Sequence, residues 1–142
     1  MTASMRERIV LKAREWVGTP YHHQQAVKGL GVDCVGLVAG IAEELGIGGE
    51  YNKTSFIPFK RYSRNPNPNH MQKGMDAFLI PVSEPQIGDI AWIETRKNVP
   101  SHLGIKVSET TIIHADAFSG KVIESPLPGR AHTWWKYGGL DE

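Results

Sequence analysis

Cys34 is the single cysteine of this 142-residue chain, and it stands where a thiol can become reactive. Asp33, directly before it, is a good helix N-cap, and the apolar spacing that follows predicts a helix from Cys34 to about Leu45, ended by Gly46. Unpaired N–H groups and the helix dipole at a first turn favour a thiolate, because they stabilise negative charge. The other interpretation is that Cys34 is a small buried hydrophobic residue.

A nucleophilic thiol needs a base, and the chain has six histidines. His102 and His114 are the informative pair, because they lie on adjacent predicted strands. If Ser108–Thr110 is a three-residue connection, Val107 opposes Thr111, and both imidazoles share one face of the sheet as diagonal neighbours. A two-residue hairpin would send them to opposite faces. The other interpretation is that each histidine is an independent, partly buried residue.

The elements that position these residues follow from the spacing of apolar side chains. Ser4 and Glu7 have capping-box spacing, and the apolar residues after them predict a helix over 5–17. Residues 21–32 have no clear period and are predicted to be a loop. Residues 46–86 are predicted to be irregular, apart from a short helix over 71–79 and an Asn/Pro-rich loop over 65–69.

From Gly88 onward the apolar period changes to two. It predicts strands over 89–94, 102–107, 111–115 and 122–125, with a last strand over 134–137. The connections are too short for parallel crossovers, so helices precede a meandering antiparallel sheet. The sequence therefore predicts an α+β fold. The length is close to that of one typical domain, which predicts a single domain over 1–142.

Composition excludes several classes of protein. Sixteen Lys and Arg residues balance fifteen Asp and Glu residues, which argues against a nucleic-acid-binding protein. The longest run without a polar side chain, Val35–Ala42, is far short of the roughly 20 residues that span a bilayer, so no membrane insertion is expected. One cysteine excludes an intramolecular disulfide and a multi-cysteine metal site. The charged N-terminus is unlike a signal peptide, so we expect synthesis in the cytoplasm and export by other means.

Five short motifs resemble, in order and spacing, those of the NlpC-type cell-wall cysteine peptidases. They are Gly18-Thr19-Pro20-Tyr21, Asp33-Cys34-Val35-Gly36-Leu37, Gly88-Asp89-Ile90, His102-Leu103-Gly104-Ile105 and Ile112-Ile113-His114-Ala115. The stretch Val122–Leu127, followed by Trp134-Trp135, resembles the branch found in phages, prophages and gene transfer agents. The resemblance covers nearly the whole chain.

The resemblance implies a papain-like fold, in which the helix that carries the nucleophile packs on an antiparallel sheet. It implies that Cys34 is the nucleophile, His102 the base, and His114 the residue that orients His102. It also implies that Tyr21 helps the Cys34 N–H to hold the oxyanion. Asp33 would contact a substrate amine, although capping the helix is a sufficient role for it.

The chain departs from the family pattern at two places. Val35 stands where the family usually has Ser. His22-His23-Gln24 follow Tyr21 where the family usually has Trp-Gly-Gly. Both stretches line the substrate pocket of the family, so the bond that is cut can differ. Gly88-Asp89 is expected to be a turn into the first strand, which is a structural role.

The implied function is hydrolysis of an amide bond in peptidoglycan stem peptides through a thioester on Cys34, without a cofactor. The usual target in the family is the γ-D-glutamyl–diamino acid bond. A tail-associated phage enzyme, in contact with other tail proteins, would act in the periplasm or cell wall. Three alternatives stay open: a non-catalytic tail assembly module, a lipid acyltransferase or thioesterase, and a zinc site made by Cys34, His102 and His114.

Overall fold

The computed structural model describes residues 3–48, 68–130, 132–140 and 142. Its helices are α1 (Met5–Trp16), α2 (Cys34–Leu45) and α3 (Pro68–Phe78). Its strands are β1 (Ala26–Val27), β2 (Gly31–Val32), β3 (Leu79–Val82), β4 (Ile90–Arg96), β5 (Val99–Lys106), β6 (Thr111–Asp116), β7 (Lys121–Pro126) and β8 (His132–Tyr137). None of the described helices is both long enough and apolar enough to cross a membrane.

The first two helices form where the sequence predicts them. In α1 the Glu7 N–H donates to Ser4 Oγ at 3.1 Å and the Ser4 N–H donates to Glu7 Oε1 at 3.3 Å, which completes the capping box. The helix ends one residue earlier than predicted, because Val17 has left helical geometry before Gly18. α2 has the predicted bounds, with Asp33 as its N-cap and Gly46 in the left-handed conformation at its end.

The main sheet has six antiparallel strands in the order β3-β8-β4-β5-β6-β7. β4 to β7 form the predicted meander, and Gly88-Asp89 leads into β4 as expected. β8 does not extend the meander, because it returns to lie between β3 and β4. The antiparallel α+β fold is therefore confirmed. β8 departs from chain order, because it is inserted between β3 and β4.

The sequence prediction misses two elements. The segment 21–32, expected to be a loop, contains the β1–β2 hairpin, with Ala26 paired to Val32. β3 lies in a segment expected to be irregular. Both are too short to show a period, and Pro81 argues against a strand. The short helix expected over 71–79 is α3, which begins earlier, at Pro68. The prediction for residues 49–67 lies outside the described residues.

Apolar side chains form a large cluster on one face of the sheet and a small cluster on the other. The main core lies between α2 and one face, where Leu37 and Ile41 meet Leu103, Ile105 and Ile113. A smaller cluster of Ala91, Ile93 and Ile112 lies on the opposite face. The Tyr137 hydroxyl donates to the Val38 carbonyl at 2.7 Å and links β8 to α2 inside the core.

Candidate active site

The connection between β5 and β6 sets the faces on which His102 and His114 lie. Ile105 pairs with Ile113, and the Val107 N–H donates to the Thr111 carbonyl at 3.1 Å. This is the register of a three-residue connection, so the two histidines point to the same face. His102 Nε2 lies 2.7 Å from His114 Nδ1. The predicted register is confirmed.

That shared face is not the one on which the body of α2 packs. His102 is paired with Ile93, and a Cβ on Gly104 would lie 2.6 Å from Ile112 Cδ1 and 3.5 Å from His114 Cβ. The histidines therefore lie beside the smaller apolar cluster, while the alternating residues Leu103 and Ile105 face α2. Both imidazoles therefore lie on the face opposite the body of α2, and only the N-terminal end of α2 approaches them.

Cys34 meets the histidines at the open end of the β5–β6 pair. Within the described strands, β5 and β6 pair only through Ile105–Ile113 and Lys106–Ile112, so the strands separate toward His102. Cys34 is the first residue of α2, and its Sγ lies 3.9 Å from the carbonyl oxygen of Ser101. The N-terminus of α2 is therefore placed beside the β5 backbone where β6 has moved away.

The site residues predicted from the sequence line one cleft of about 380 Å³. It is lined by Tyr21, His23, Asp33, Cys34, Val35, Ile93, Glu94, Thr95, Ser101, His102, His114, Ala115, Asp116, Ala117, Pro128 and Arg130. Its volume is at the lower end of the range for small-ligand sites. All six predicted site residues line it.

The two imidazoles form part of a hydrogen-bonded chain that runs across three strands. His102 Nε2 bonds to His114 Nδ1 at 2.7 Å, and His114 Nε2 bonds to Ser125 Oγ at 2.8 Å. The rings meet edge to face, with centroids 4.9 Å apart and planes at 78°. Because Nε2 of His102 is engaged with His114, Nδ1 is the ring nitrogen that remains for chemistry in the cleft.

The surroundings of Cys34 oppose the thiolate that its helix position would favour. The pKa of the Cys34 thiol is raised to about 12, chiefly by burial and then by the adjacent Asp33 carboxylate. Backbone N–H groups of Leu103, Val35 and Cys34 lower the pKa, but by less. Desolvation of Cys34 therefore opposes the helix N-terminus and raises the pKa of the thiol.

Both imidazoles are neutral in the same environment. The pKa of His102 is lowered to about 4, chiefly by burial and then by the nearby His114, while Asp116 opposes the shift. Burial also lowers the pKa of His114, again opposed by Asp116. The free site at neutral pH therefore holds a protonated thiol and two uncharged rings.

Asp33 is fully engaged in shaping the backbone around Cys34. Its Oδ1 accepts from the Gly36 N–H at 2.8 Å, and its Oδ2 accepts from the Gln24 N–H at 2.7 Å. His23 Nδ1 lies 3.8 Å from the same Oδ2. Asp33 thus caps α2 and ties the preceding loop to it, as the capping interpretation predicts.

Tyr21 and Val35 both line the cleft that contains Cys34. The Tyr21 N–H donates to the Gly120 carbonyl at 2.8 Å, and Tyr21 also forms a bridge with Val32. Tyr21 and Val35 are both half-buried. Val35 presents an apolar side chain to the wall of the cleft.

Gly36 has a role that the sequence does not announce. A Cβ at this position would lie 2.2 Å from the Gln25 carbonyl oxygen, which belongs to the backbone. The start of the β1–β2 hairpin therefore rests directly on the first turn of α2. Any larger residue would force apart the two segments that carry Tyr21 and Cys34.

The sequence gives no indication of several polar residues around the histidines. Ser125 bonds to His114, while Asp116, Glu94 and Arg130 line the cleft. Arg130 donates to the Thr95 carbonyl. His114 pairs with Ile123, which makes Ser125, two positions further along β7, its diagonal neighbour; the sequence carries no local signal for this register.

Metal binding does not fit the histidine pair. Among the described residues, no three His, Cys, Asp or Glu side chains are grouped so that they could hold a metal ion. Nε2 of His102 and Nδ1 of His114 point at each other across 2.7 Å, whereas zinc ligands direct their lone pairs at a common centre.

An α+β fold with a cysteine at the start of a buried helix, beside two histidines on neighbouring antiparallel strands, defines the papain-like class. Residues 18–137 match the model of the NlpC/P60 family. The chain belongs to the NlpC/P60 family. No curated protein matches it.

Solved structures share this fold at low sequence identity. NlpC2 from Trichomonas vaginalis superposes with a TM-score of 0.66 at 18% identity, over 96% of this chain and 47% of that one. A lipoprotein-like NLP/P60 protein from Staphylococcus aureus gives 0.63 at 17% identity, over 96% and 43%. The NlpC/p60 domain of peptidoglycan hydrolase SagA gives 0.57 at 19% identity, over 90% and 96%. The chain thus spans less than half the length of the first two, and these likenesses establish the fold.

Proposed function

We propose that this chain is a cysteine hydrolase that cleaves an amide bond in peptidoglycan stem peptides. The observation that carries the proposal is the 2.7 Å bond from His102 to His114 in the cleft that also contains Cys34. A thiol beside a neutral, oriented imidazole is the arrangement for nucleophilic acyl transfer. Membership of the NlpC/P60 family and the fold shared with a domain of a peptidoglycan hydrolase support the substrate class.

The reaction begins with a thiol and a neutral base. Nδ1 of His102 takes the proton of Cys34 as the sulfur attacks the substrate carbonyl, and the amine then leaves with that proton as a thioester forms. A water molecule, deprotonated by the same nitrogen, releases the acid and restores the thiol. Because the free thiol has a raised pKa, proton transfer accompanies attack rather than preceding it.

The other site residues have supporting roles. His114 holds the His102 ring through Nε2 and stabilises it when it becomes charged. The Cys34 N–H belongs to the first turn of α2, whose N–H groups lack partners within the helix, and with Tyr21 it would hold the oxyanion. Val35 and Asp33 would border the substrate, with Asp33 acting through the loop that it ties in place.

Hydrolysis of purified muropeptides, followed by mass spectrometry of the products, tests the proposal. We expect cleavage between γ-D-glutamate and the diamino acid, with loss of activity in Cys34→Ala and His102→Ala. His114→Ala should retain measurable turnover, because orientation is lost while the base remains. Folded wild-type protein that leaves all muropeptides intact would support the non-catalytic alternative, and cleavage of lipid esters or thioesters alone would support the acyltransferase alternative.

The setting of the reaction is a separate part of the proposal. The sequence of β7 and of Trp134-Trp135 resembles the phage and prophage branch, which supports a protein carried on a virion tail and delivered to the cell wall. Proteomics of purified particles from the source organism tests this: the chain should be found with tail proteins. Its absence from particles would overturn the tail assignment and leave the hydrolase proposal standing.

A further inference from the structure

Ser125 stands behind the histidine pair, away from the cleft. Its Oγ lies 2.8 Å from His114 Nε2 and 3.3 Å from the carbonyl oxygen of Pro126. Ser125 lies on β7, which pairs with β6 at one edge of the sheet. It is not among the residues that line the cleft, so it does not contact a substrate bound there.

The proton positions along this chain follow from what each atom can do. Ser125 Oγ has one hydrogen and the Pro126 carbonyl can only accept, so both contacts of Ser125 are hydrogen bonds at once only when its hydroxyl donates to Pro126. Ser125 Oγ then offers a lone pair to His114 Nε2, which must carry a hydrogen to bond with it. His114 Nδ1 is consequently unprotonated and accepts from His102 Nε2–H.

His102 is the last ring in this series of hydrogen bonds, and its Nδ1 is left unprotonated, as a base requires. Each neutral imidazole carries one hydrogen, and burial keeps both rings neutral near pH 7. With its hydrogen on Nε2, His102 has a free lone pair on Nδ1. The opposite order, with Ser125 donating to His114, would put the hydrogen of His102 on Nδ1 and block proton transfer from Cys34.

We propose that Ser125 is a positioning residue that selects the Nε2–H tautomer of His114 and thereby keeps Nδ1 of His102 free to act as the base. The kinetic part of this inference rests on the proposed hydrolase function. The tautomer part does not, because it concerns hydrogen positions in the free protein.

Long-range ¹H–¹⁵N correlation spectra of the ¹⁵N-labelled full chain at pH 7.5 test the tautomers directly. His102→Gln and His114→Gln spectra assign the two rings among the six histidines. In the wild type, both rings should be protonated at Nε2. In Ser125→Ala, His114 should show a mixture of tautomers, and Ser125→Thr should restore the single form because it keeps the hydroxyl.

Rates of muropeptide hydrolysis give the second readout. Ser125→Ala should lower kcat about fivefold with KM unchanged, the effect expected for one hydrogen bond that acts on the base and not on the substrate. Ser125→Thr should recover most of the rate. Ser83→Ala, an exposed serine before β4, is the matched control and should change neither readout.

The outcomes separate the two proposals. A wild-type His114 protonated at Nδ1, or a Ser125→Ala spectrum identical to that of the wild type, overturns the role of Ser125. Wild-type protein without any hydrolysis, but with both rings protonated at Nε2 and a tautomer change in Ser125→Ala, leaves the role of Ser125 intact and overturns the hydrolase proposal.

Discussion

Cys34 combines a helix position that favours ionisation with surroundings that oppose it. Its Sγ lies 3.9 Å from the Ser101 carbonyl oxygen, which accepts from a thiol and repels a thiolate. Asp33, needed to cap α2, places a buried negative charge next to the sulfur. Cys34 is therefore a thiol in the free protein, and in the proposed mechanism it attacks only when His102 can take its proton.

This resting state predicts the pH dependence of alkylation. Since the thiolate is the reactive form and the pKa of native Cys34 is raised, iodoacetamide at pH 7.5 should modify native protein at least about tenfold more slowly than protein unfolded in urea. The native rate should still be rising above pH 9, where the rate for the unfolded chain approaches its plateau. Stopped-time alkylation with mass spectrometry measures both rates.

The unfolded chain controls for the intrinsic reactivity of the thiol. The contrary outcome is rapid alkylation of the native protein, with a rate whose pH midpoint lies below 7. In that case His102→Gln should move the midpoint to higher pH. That result would establish a thiolate–imidazolium pair in the free protein, and the proton would then be transferred before the substrate arrives.

Single residues differ in how far the sequence predicts them. The His102–His114 contact needs only the length of one connection, so strand alternation is enough to find it. The pKa of Cys34 depends on burial in the folded protein, where contacts come from as far along the chain as Ser101, 67 positions away, so local helix rules do not determine it. Ser125 depends on the offset between β6 and β7, which no local pattern fixes.

Among the helices and strands, α2 depends most on a close approach of backbone to backbone. Gly36 brings its first turn against the Gln25 carbonyl, and the Gly36 N–H completes the Asp33 cap. The helix bounds could be predicted from the cap and from Gly46. The hairpin that rests on the helix could not, because its strands pair over two residues each.

We expect Gly36→Ala to destabilise the protein by about 1–3 kcal/mol, because the added Cβ would meet a backbone oxygen at 2.2 Å. At an open helical position the same change stabilises by about 1 kcal/mol, so the sign alone tests the contact. Urea unfolding followed by circular dichroism measures the difference. Glu43→Ala, at an exposed position of α2, should stay within about 0.5 kcal/mol of the wild type. A Gly36→Ala protein more stable than the wild type would refute the contact.

For the molecule as a whole, a buried ion pair joins α1 to the residue that directly precedes β4. Arg6 Nη1 lies 2.6 Å from Asp89 Oδ1, and it also donates to the Ile87 carbonyl at 3.1 Å. Asp89 is completely buried and stands directly before β4. The Gly88-Asp89 motif could be predicted to be a structural turn, but its partner Arg6 is too distant in sequence to be inferred from spacing.

Arg6→Ala should cost about 3–5 kcal/mol, because it leaves the carboxylate of Asp89 buried without its cation. Arg14→Ala is the matched control from the same helix: Arg14 pairs with Glu124 at the surface, so its loss should cost no more than about 1 kcal/mol. Thermal and urea unfolding of the two variants compare these costs. Equal stabilities for the two variants would show that the buried pair is not a major link.

The return of β8 to the middle of the sheet has a consequence for the order in which a newly made chain acquires its shape. β8 is the last of the described strands to leave the ribosome, yet β3 pairs with it alone and β4 pairs with it on one side. Such distant pairings are slow to form, because the intervening chain must first be brought together. β3 therefore cannot form its pairing until β8 has been synthesised. By then Cys34, His102, His114 and Ser125 are already part of the chain. The β3–β8–β4 side of the sheet is therefore completed last, after the β4–β7 meander has been synthesised.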